Sequence, residues 1–186
     1  MGYWNTRGLR GSTFEEIINM TNDMYRQKGL AMVQKIPTPI KPIKIDSKQR
    51  TITLAYFEQK STVDYIGIVQ GYSICFDAKE TSAASLPLAN IHEHQIEFMK
   101  DFENQKGIAF LLVYFTKKDE CFLFPFKDLY YYYCMAKNGA RKSIPYEAFD
   151  QSYKIQNGTG GVSLHYLVAL QRYLVNLHKE RESKEA

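Results

Sequence analysis

Residues 108–115 read IAFLLVYF, eight apolar side chains in a row. Side chains alternate between the two faces of a strand, so an uninterrupted run needs apolar cover on both, which a sheet with one wet face does not provide. Helices therefore flank this strand on both sides, and the chain reads as α/β, a mixed central β-sheet between helices. The run is far short of the roughly 20 residues needed to cross a bilayer. The opening MGYWNTRGLRG also lacks the apolar centre of a signal peptide. The expectation is a cytoplasmic protein with no membrane partner.

The other elements follow from periodicity and caps. Thr13 with Glu16 three residues on is a capping box, and Ile17, Met20, Met24 and Tyr25 recur at helical spacing until Gly29. AMVQKI (31–36) reads as a strand. Pro37, Pro39 and Pro42 then mark a protruding segment, because proline cannot donate within a central ladder. The apolar stretches around residues 46–49 make 40–57 a hairpin. DYIGIVQ and YSICFDAKE form a second hairpin turned at Gln70-Gly71. Asn90 is expected to cap a helix that places Ile91, Gln95, Phe98 and Phe102 on one inward face. CFLFPF (121–126) pairs with the central run, a helix covers about 127–136, and a final helix capped at Ser163 buries Leu164, Leu167, Leu170, Leu174 and Leu177. One domain spans residues 1–178, and 179–186 are a solvated tail. Cys75, Cys121 and Cys134 are too widely spaced for a metal knuckle or a disulfide framework, and read as reduced packing residues.

Charge is unevenly distributed. Residues 1–60 carry ten Lys/Arg against five Asp/Glu, whereas residues 61–186 carry fourteen against fifteen. Six of the cations, Lys35, Lys41, Lys44, Lys48, Arg50 and Lys60, lie in or beside the proline-marked hairpin, which suits insertion into a groove or branch of nucleic acid. The competing interpretation is a solvated edge guarded by lysines against aggregation. Arg7 and Arg10, in a glycine-flanked arm, are phosphate contacts if DNA is the partner, with Arg141 and Lys142 a similar pair.

Asp64 opens one strand of the second hairpin, and Asp77 and Lys79, two residues apart, share a face of the next. Two carboxylates and a lysine at a sheet rim suit phosphodiester hydrolysis: the acids take a hard cation such as Mg²⁺, and the lysine orients water or neutralises developing charge. By spacing alone the pattern is a weak signal, strengthened because a carboxylate at the end of an apolar strand needs a partner.

The run AYFEQKSTVDYIGIVQGYSICFDAKET followed by LPLANIHEHQIEFM resembles the heart of RecU-type Holliday junction resolvases, members of the PD-(D/E)xK nuclease superfamily. GSTFEEIINMTNDMY, KIPTPI and NGARKSIPYEAF resemble the same family in the same order, from about residue 7 to 177. The resemblance implies a restriction-endonuclease-like fold with a protruding β-hairpin stalk at about 37–61. It implies that Asp64, Asp77 and Lys79 form the metal and water site, that Thr62 and Gln95 complete it, and that Glu15 of the first helix lies beside it. It also implies dependence on Mg²⁺ or Mn²⁺, a symmetric homodimer, recombination proteins as associates, and paired nicks in four-way DNA junctions. Two departures are visible. Asp77 stands where the family usually has Glu, and Ile66 where a polar residue is more usual.

Rival readings remain open: a non-catalytic junction-binding or strand-annealing module using the same basic hairpin, or a restriction-type nuclease of the same fold. His92 and His94 would point about 160° apart on a helix, which argues against a shared metal. Gly158 to Gly161 lack the Lys-Ser/Thr of a phosphate-binding P-loop and read as a plain loop. Tyr130 to Tyr133 must face both inward and outward on a helix, so they read as core plus rim.

Overall fold

Alternate residues of the central strands face two separate apolar layers in the computed structural model, which describes residues 13–57, 62–156 and 162–185. In chain order the elements are α1 (Phe14–Gln27), β1 (Met32–Lys35), β2 (Ile40–Asp46), β3 (Thr51–Phe57), β4 (Tyr65–Val69), β5 (Tyr72–Thr81), β6 (Ser85–Pro87), α2 (Glu93–Asn104), β7 (Ile108–Phe115), β8 (Glu120–Pro125), α3 (Phe126–Lys137), β9 (Ser143–Pro145), β10 (Lys154–Ile155) and α4 (Tyr166–Glu185). The main sheet of the described residues has the order β1-β4-β5-β7-β8-β10. β5 and β7 run parallel, joined by the α2 crossover, and the other neighbours are antiparallel. Phe110, Leu112 and Leu123 face α1 and α4, meeting Ile17, Ile18, Tyr166 and Leu170. Leu111, Val113 and Phe124 face α2 and α3, meeting Ile96, Met99 and Leu129. The expected mixed sheet, covered on both sides, is what forms.

Register around the centre is fixed by local chemistry. Gln70 and Gly71 both have positive φ (46° and 93°), giving the two-residue turn whose twist matches the flanking strands. Opposite residues then pair as Tyr65 with Phe76, and Phe76 in turn with Phe110. Their rings stack with centroids 4.7 and 4.9 Å apart, each such pair contributing about 0.5–1.5 kcal/mol beyond area burial. This aromatic ladder covers the face toward α1. One residue further on, Asp64 and Asp77 come together on the opposite face. Gly67 is needed for close strand approach, since a Cβ there would lie 2.4 Å from Met32 O. Ile66 packs, half-buried, against the α2 side of the core, so the departure at this position is accommodated by apolar contact.

The β2–β3 hairpin is a separate two-stranded ribbon, as the stalk expectation requires; residues 58–61 of that expectation lie outside the described ones. Its register shifts between Pro42 and Ile45, where proline has no N–H to give. Asp46 closes the tip by accepting from the Lys48 and Gln49 N–H groups at 2.9 and 3.1 Å. Ile43, Ile45, Ile52 and Leu54 are exposed along it.

Several boundaries differ from expectation. Asn90 does not cap α2: residues Leu88–Asn90 take a single 3-10 turn after Pro87, and His92 is the N-cap. Ser163 does not cap α4, which starts at Tyr166 because the Leu164 N–H is held by the Thr21 hydroxyl (3.3 Å) across the fold. The terminal segment expected to fray is helical through Glu185. Strand β10 and the small β6–β9 ribbon were not foreseen. Among the described residues no helix is long and apolar enough to cross a membrane.

Candidate active site

Asp77 lies on β5, fully buried, at the end of the apolar stretch Ile74-Cys75-Phe76. A buried carboxylate needs several donors to offset lost hydration, and three converge here. Its Oδ2 accepts from Lys79 Nζ (2.5 Å) and Gln95 Nε2 (2.9 Å), while Oδ1 accepts from the Asp64 backbone N–H (3.0 Å). The lysine side chain is itself only 15% exposed. Asp64 folds back across the hairpin, its Oδ2 accepting from the Ala78 N–H at 3.0 Å. Burial and the adjacent charge of Asp77 push the Asp64 carboxyl up to about 6, against the smaller opposing pull of the Ala78 N–H and Lys79. Two acids thus share the site with one ammonium held against Asp77, a net negative cradle.

Gln95 occupies the third position of α2. Its Oε1 accepts from the His92 N–H (3.0 Å), capping the helix, and its Nε2 points at Asp77. A donor on one side and a carboxylate on the other fix the amide orientation. In this arrangement the residue offers Asp77 an N–H while its oxygen caps the helix, so it orients the carboxylate. His92 lies outside the helix, so helical geometry does not govern its direction: its ring stacks on His94, with centroids 5.3 Å apart and planes within 10°.

Thr62 is half-buried two residues before Asp64. Glu15 lies at the start of α1, on the other side of the sheet, and is ion-paired with Lys35 at the end of β1. Its backbone carbonyl accepts from the Tyr65 hydroxyl (3.4 Å), tying it to the strand that leads from Asp64. Burial, with the added charge of Glu15, raises the Glu80 carboxyl. The structure thus brings Asp64, Asp77, Lys79 and Gln95 together, and leaves Glu15 paired across the rim. Lys35, expected to contact phosphate, is engaged by Glu15. Lys41, Lys44, Lys48 and Arg50 are exposed on the stalk, and Arg141 and Lys142 are exposed beside the α2 entrance, where Lys142 O accepts from the Leu88 N–H (3.1 Å). Arg7, Arg10, Lys60 and Gly158 to Gly161 lie outside the described residues.

The family model of RecU, Recombination protein U, matches residues 9–172. The chain belongs to the RecU family. It is 42% identical over 175 residues, 91% of this chain and 87% of the relative, to a protein of Pediococcus pentosaceus named Holliday junction resolvase RecU. A relative of the same name from Lactococcus lactis subsp. cremoris is 47% identical over 154 residues, 80% of this chain and 71% of its own. Another from Oceanobacillus iheyensis is 42% identical over 161 residues, 84% and 79% of the two chains. Among solved structures, Archaeoglobus fulgidus Hjc aligns with 61% of this chain and 75% of its own at 9% identity and a TM-score of 0.36.

The donor set of this RecU chain suits a hard cation. No group of three or more His, Cys, Asp or Glu side chains converges among the described residues, so a soft-metal cage is absent there. The charged oxygen donors at the site are the Asp64 and Asp77 carboxylates, and two carboxylates with the remaining positions left to neutral oxygens, water and phosphate suit Mg²⁺. Beside burial, the charge of Asp77 raises the Asp64 carboxyl, and such a cation would neutralise that charge. One feature escaped the sequence reading: the β7–β8 turn, with Lys117 and Lys118, ends at the same rim. The parallel pairing of β5 with β7 puts it there, and only an expectation of parallel register would have found it.

Proposed function

We propose that this chain is a metal-dependent endodeoxyribonuclease that resolves four-way DNA junctions by paired symmetric nicks, working as a homodimer. The observation that carries the reading is the buried Asp77 with Lys79 and Asp64 around it, in a chain whose relatives are named Holliday junction resolvases. A divalent cation, Mg²⁺ or Mn²⁺, held by Asp64 and Asp77 would supply Lewis acidity toward the scissile phosphoryl oxygen. Asp77 is held by Gln95 and by the Asp64 N–H, so the carboxylate that would hold the cation is oriented before DNA arrives. Lys79, its ammonium against Asp77, is placed to orient the attacking water and to neutralise charge developing on the phosphate. The stalk, with Lys41, Lys44, Lys48 and Arg50 exposed, supplies recognition of the branch. Two protomers related by a two-fold axis match the two equivalent phosphodiesters of a junction.

The test is cleavage of labelled four-way junction, linear duplex and flap DNA in Mg²⁺ or in EDTA. Paired nicks on the junction alone, abolished by EDTA and by Asp77→Asn while binding persists, are the expected result. Tight binding without cleavage by the wild-type protein would overturn the catalytic reading in favour of a binding module.

A further inference from the structure

Two residues beyond Lys79, the strand carrying it is tied to the β7–β8 turn. The Thr116 backbone N–H and hydroxyl both donate to Thr81 O, at 3.0 and 3.3 Å. Because β5 and β7 run parallel, with Lys79 opposite Val113 and Thr81 opposite Phe115, residues 116–119 project past the same end of the sheet as the carboxylates. Lys117 and Lys118 are exposed there.

Lys118 is held in place before any ligand arrives. Its ammonium lies 4.2 Å from the centroid of the Tyr146 ring, which abuts Phe115 and Phe122 edge-on. The Tyr146 N–H donates to Ala84 O (3.2 Å), so this platform is pinned to the segment leaving β5. Of the neighbouring acids, Asp119 accepts from the Tyr114 hydroxyl (2.8 Å), and Glu120 accepts from Lys154 Nζ (2.5 Å) and the Tyr146 hydroxyl while also feeling the Lys118 charge. Glu147 is exposed nearby in sequence, and the pairing of Pro87 with Ser143 carries the exposed Arg141 and Lys142 away toward the start of α2. The stalk leaves the sheet from β1, on the opposite side of the carboxylates.

We infer that Lys117 and Lys118 grip the phosphate backbone of a duplex arm on the side of the active site away from the stalk, giving the enzyme a second hold on its DNA. Four residues at about 3.3 Å each separate Asp77 from Thr81 along β5, roughly 13 Å. The turn is thus displaced from the carboxylates along the sheet, so the contact falls on a phosphate other than the scissile one. This rests on the nuclease reading for its ligand, DNA, and adds where the arm is held.

The experiment compares wild type with Lys117→Gln/Lys118→Gln, a pair of exposed substitutions that keep most of each side-chain stem. Binding to a four-way junction and to a linear duplex of one arm is measured in EDTA across 50–200 mM salt, with phosphate-ethylation interference on the junction. Removing two phosphate contacts lowers the slope of log affinity against log salt by about 1.8, so the wild-type advantage shrinks about 12-fold over that range, on both DNAs. Interference should vanish at phosphates of one duplex arm away from the nick and persist at the branch. An unchanged slope, or an unchanged interference pattern, overturns the inference even when the wild type nicks junctions normally. A wild type that neither binds nor nicks junction DNA would instead overturn the nuclease reading, and this one with it.

Discussion

Asp64→Asn should make the metal-free protein more stable at neutral pH while abolishing nicking. The Asp64 carboxyl is pushed from its ordinary 3.8 up to about 6 by burial and by the charge of Asp77. Between those values the folded protein keeps a proton that the unfolded chain has released, so stability falls as pH rises through that window and stays lowered above it. A shift of two units corresponds to about 3 kcal/mol, and solvent screening of a partly exposed carboxyl brings this to about 1.5 kcal/mol. Asparagine fits the same geometry, since its oxygen can accept the Ala78 N–H now held by Asp64 Oδ2 and its amide can donate to Asp77. Urea unfolding in EDTA at pH 4 and pH 7.5 provides the assay. The wild type should lose about 1.5 kcal/mol relative to the variant between the two pH values, and excess Mg²⁺ should restore stability to the wild type alone. A difference between the two proteins that does not change with pH would refute the argument. Equal stabilisation of both by Mg²⁺ would show that Asp64 does not bind the cation.

Gln95→Leu removes one donor from Asp77 and the side-chain cap of α2; it should lower stability by about 1–2 kcal/mol and slow nicking with DNA affinity unchanged, as read by single-turnover kinetics beside binding curves. Replacing Lys41, Lys44 and Lys48 together with Ser should weaken junction binding and flatten its salt slope by up to about 2.7, and a salt titration that superimposes on wild type would reduce the stalk to a solvated ribbon. Mixing Asp77→Asn with Asp64→Asn protomers should restore no cleavage, because the Asp64 N–H to Asp77 bond lies within one hairpin of one chain; recovered activity after verified subunit exchange would mean a site shared between chains.

The parts of the site that were legible in the sequence are those fixed by short-range geometry. A two-residue turn at Gln70-Gly71 sets the register, which places Asp64 opposite Asp77, and the two-residue strand period puts Lys79 on the same face. Gln95 was legible as an inward residue of a helix. Its working orientation was not, because that depends on α2 beginning at His92 after a 3-10 turn. The Glu15–Lys35 pair joins residues 20 apart through the packing of α1 on β1, and the start of α4 depends on Thr21, 143 residues before Leu164. Neither leaves a local pattern. Strand β10 has two residues and β9 three, too short for any periodicity to register.

The stalk interrupts what is otherwise an ordinary hairpin. β1 and β4 pair directly, with Lys35 opposite Tyr65 and the Ile36 N–H bonded to Asp64 O at 2.8 Å, so the ribbon enters and leaves through neighbouring points on the sheet. Lengthening a loop whose ends are already fixed raises its closure entropy only logarithmically. The segment therefore behaves as a cassette: its length, charge and apolar content can drift, or be exchanged for another hairpin, while the ladder that aligns the two aspartates stays as it is. With the stalk recognising the branch as proposed, substrate shape and bond cleavage would be inherited on separable pieces of chain, and a lineage could retune which branched DNA it grips without rebuilding the strand that carries the aspartates.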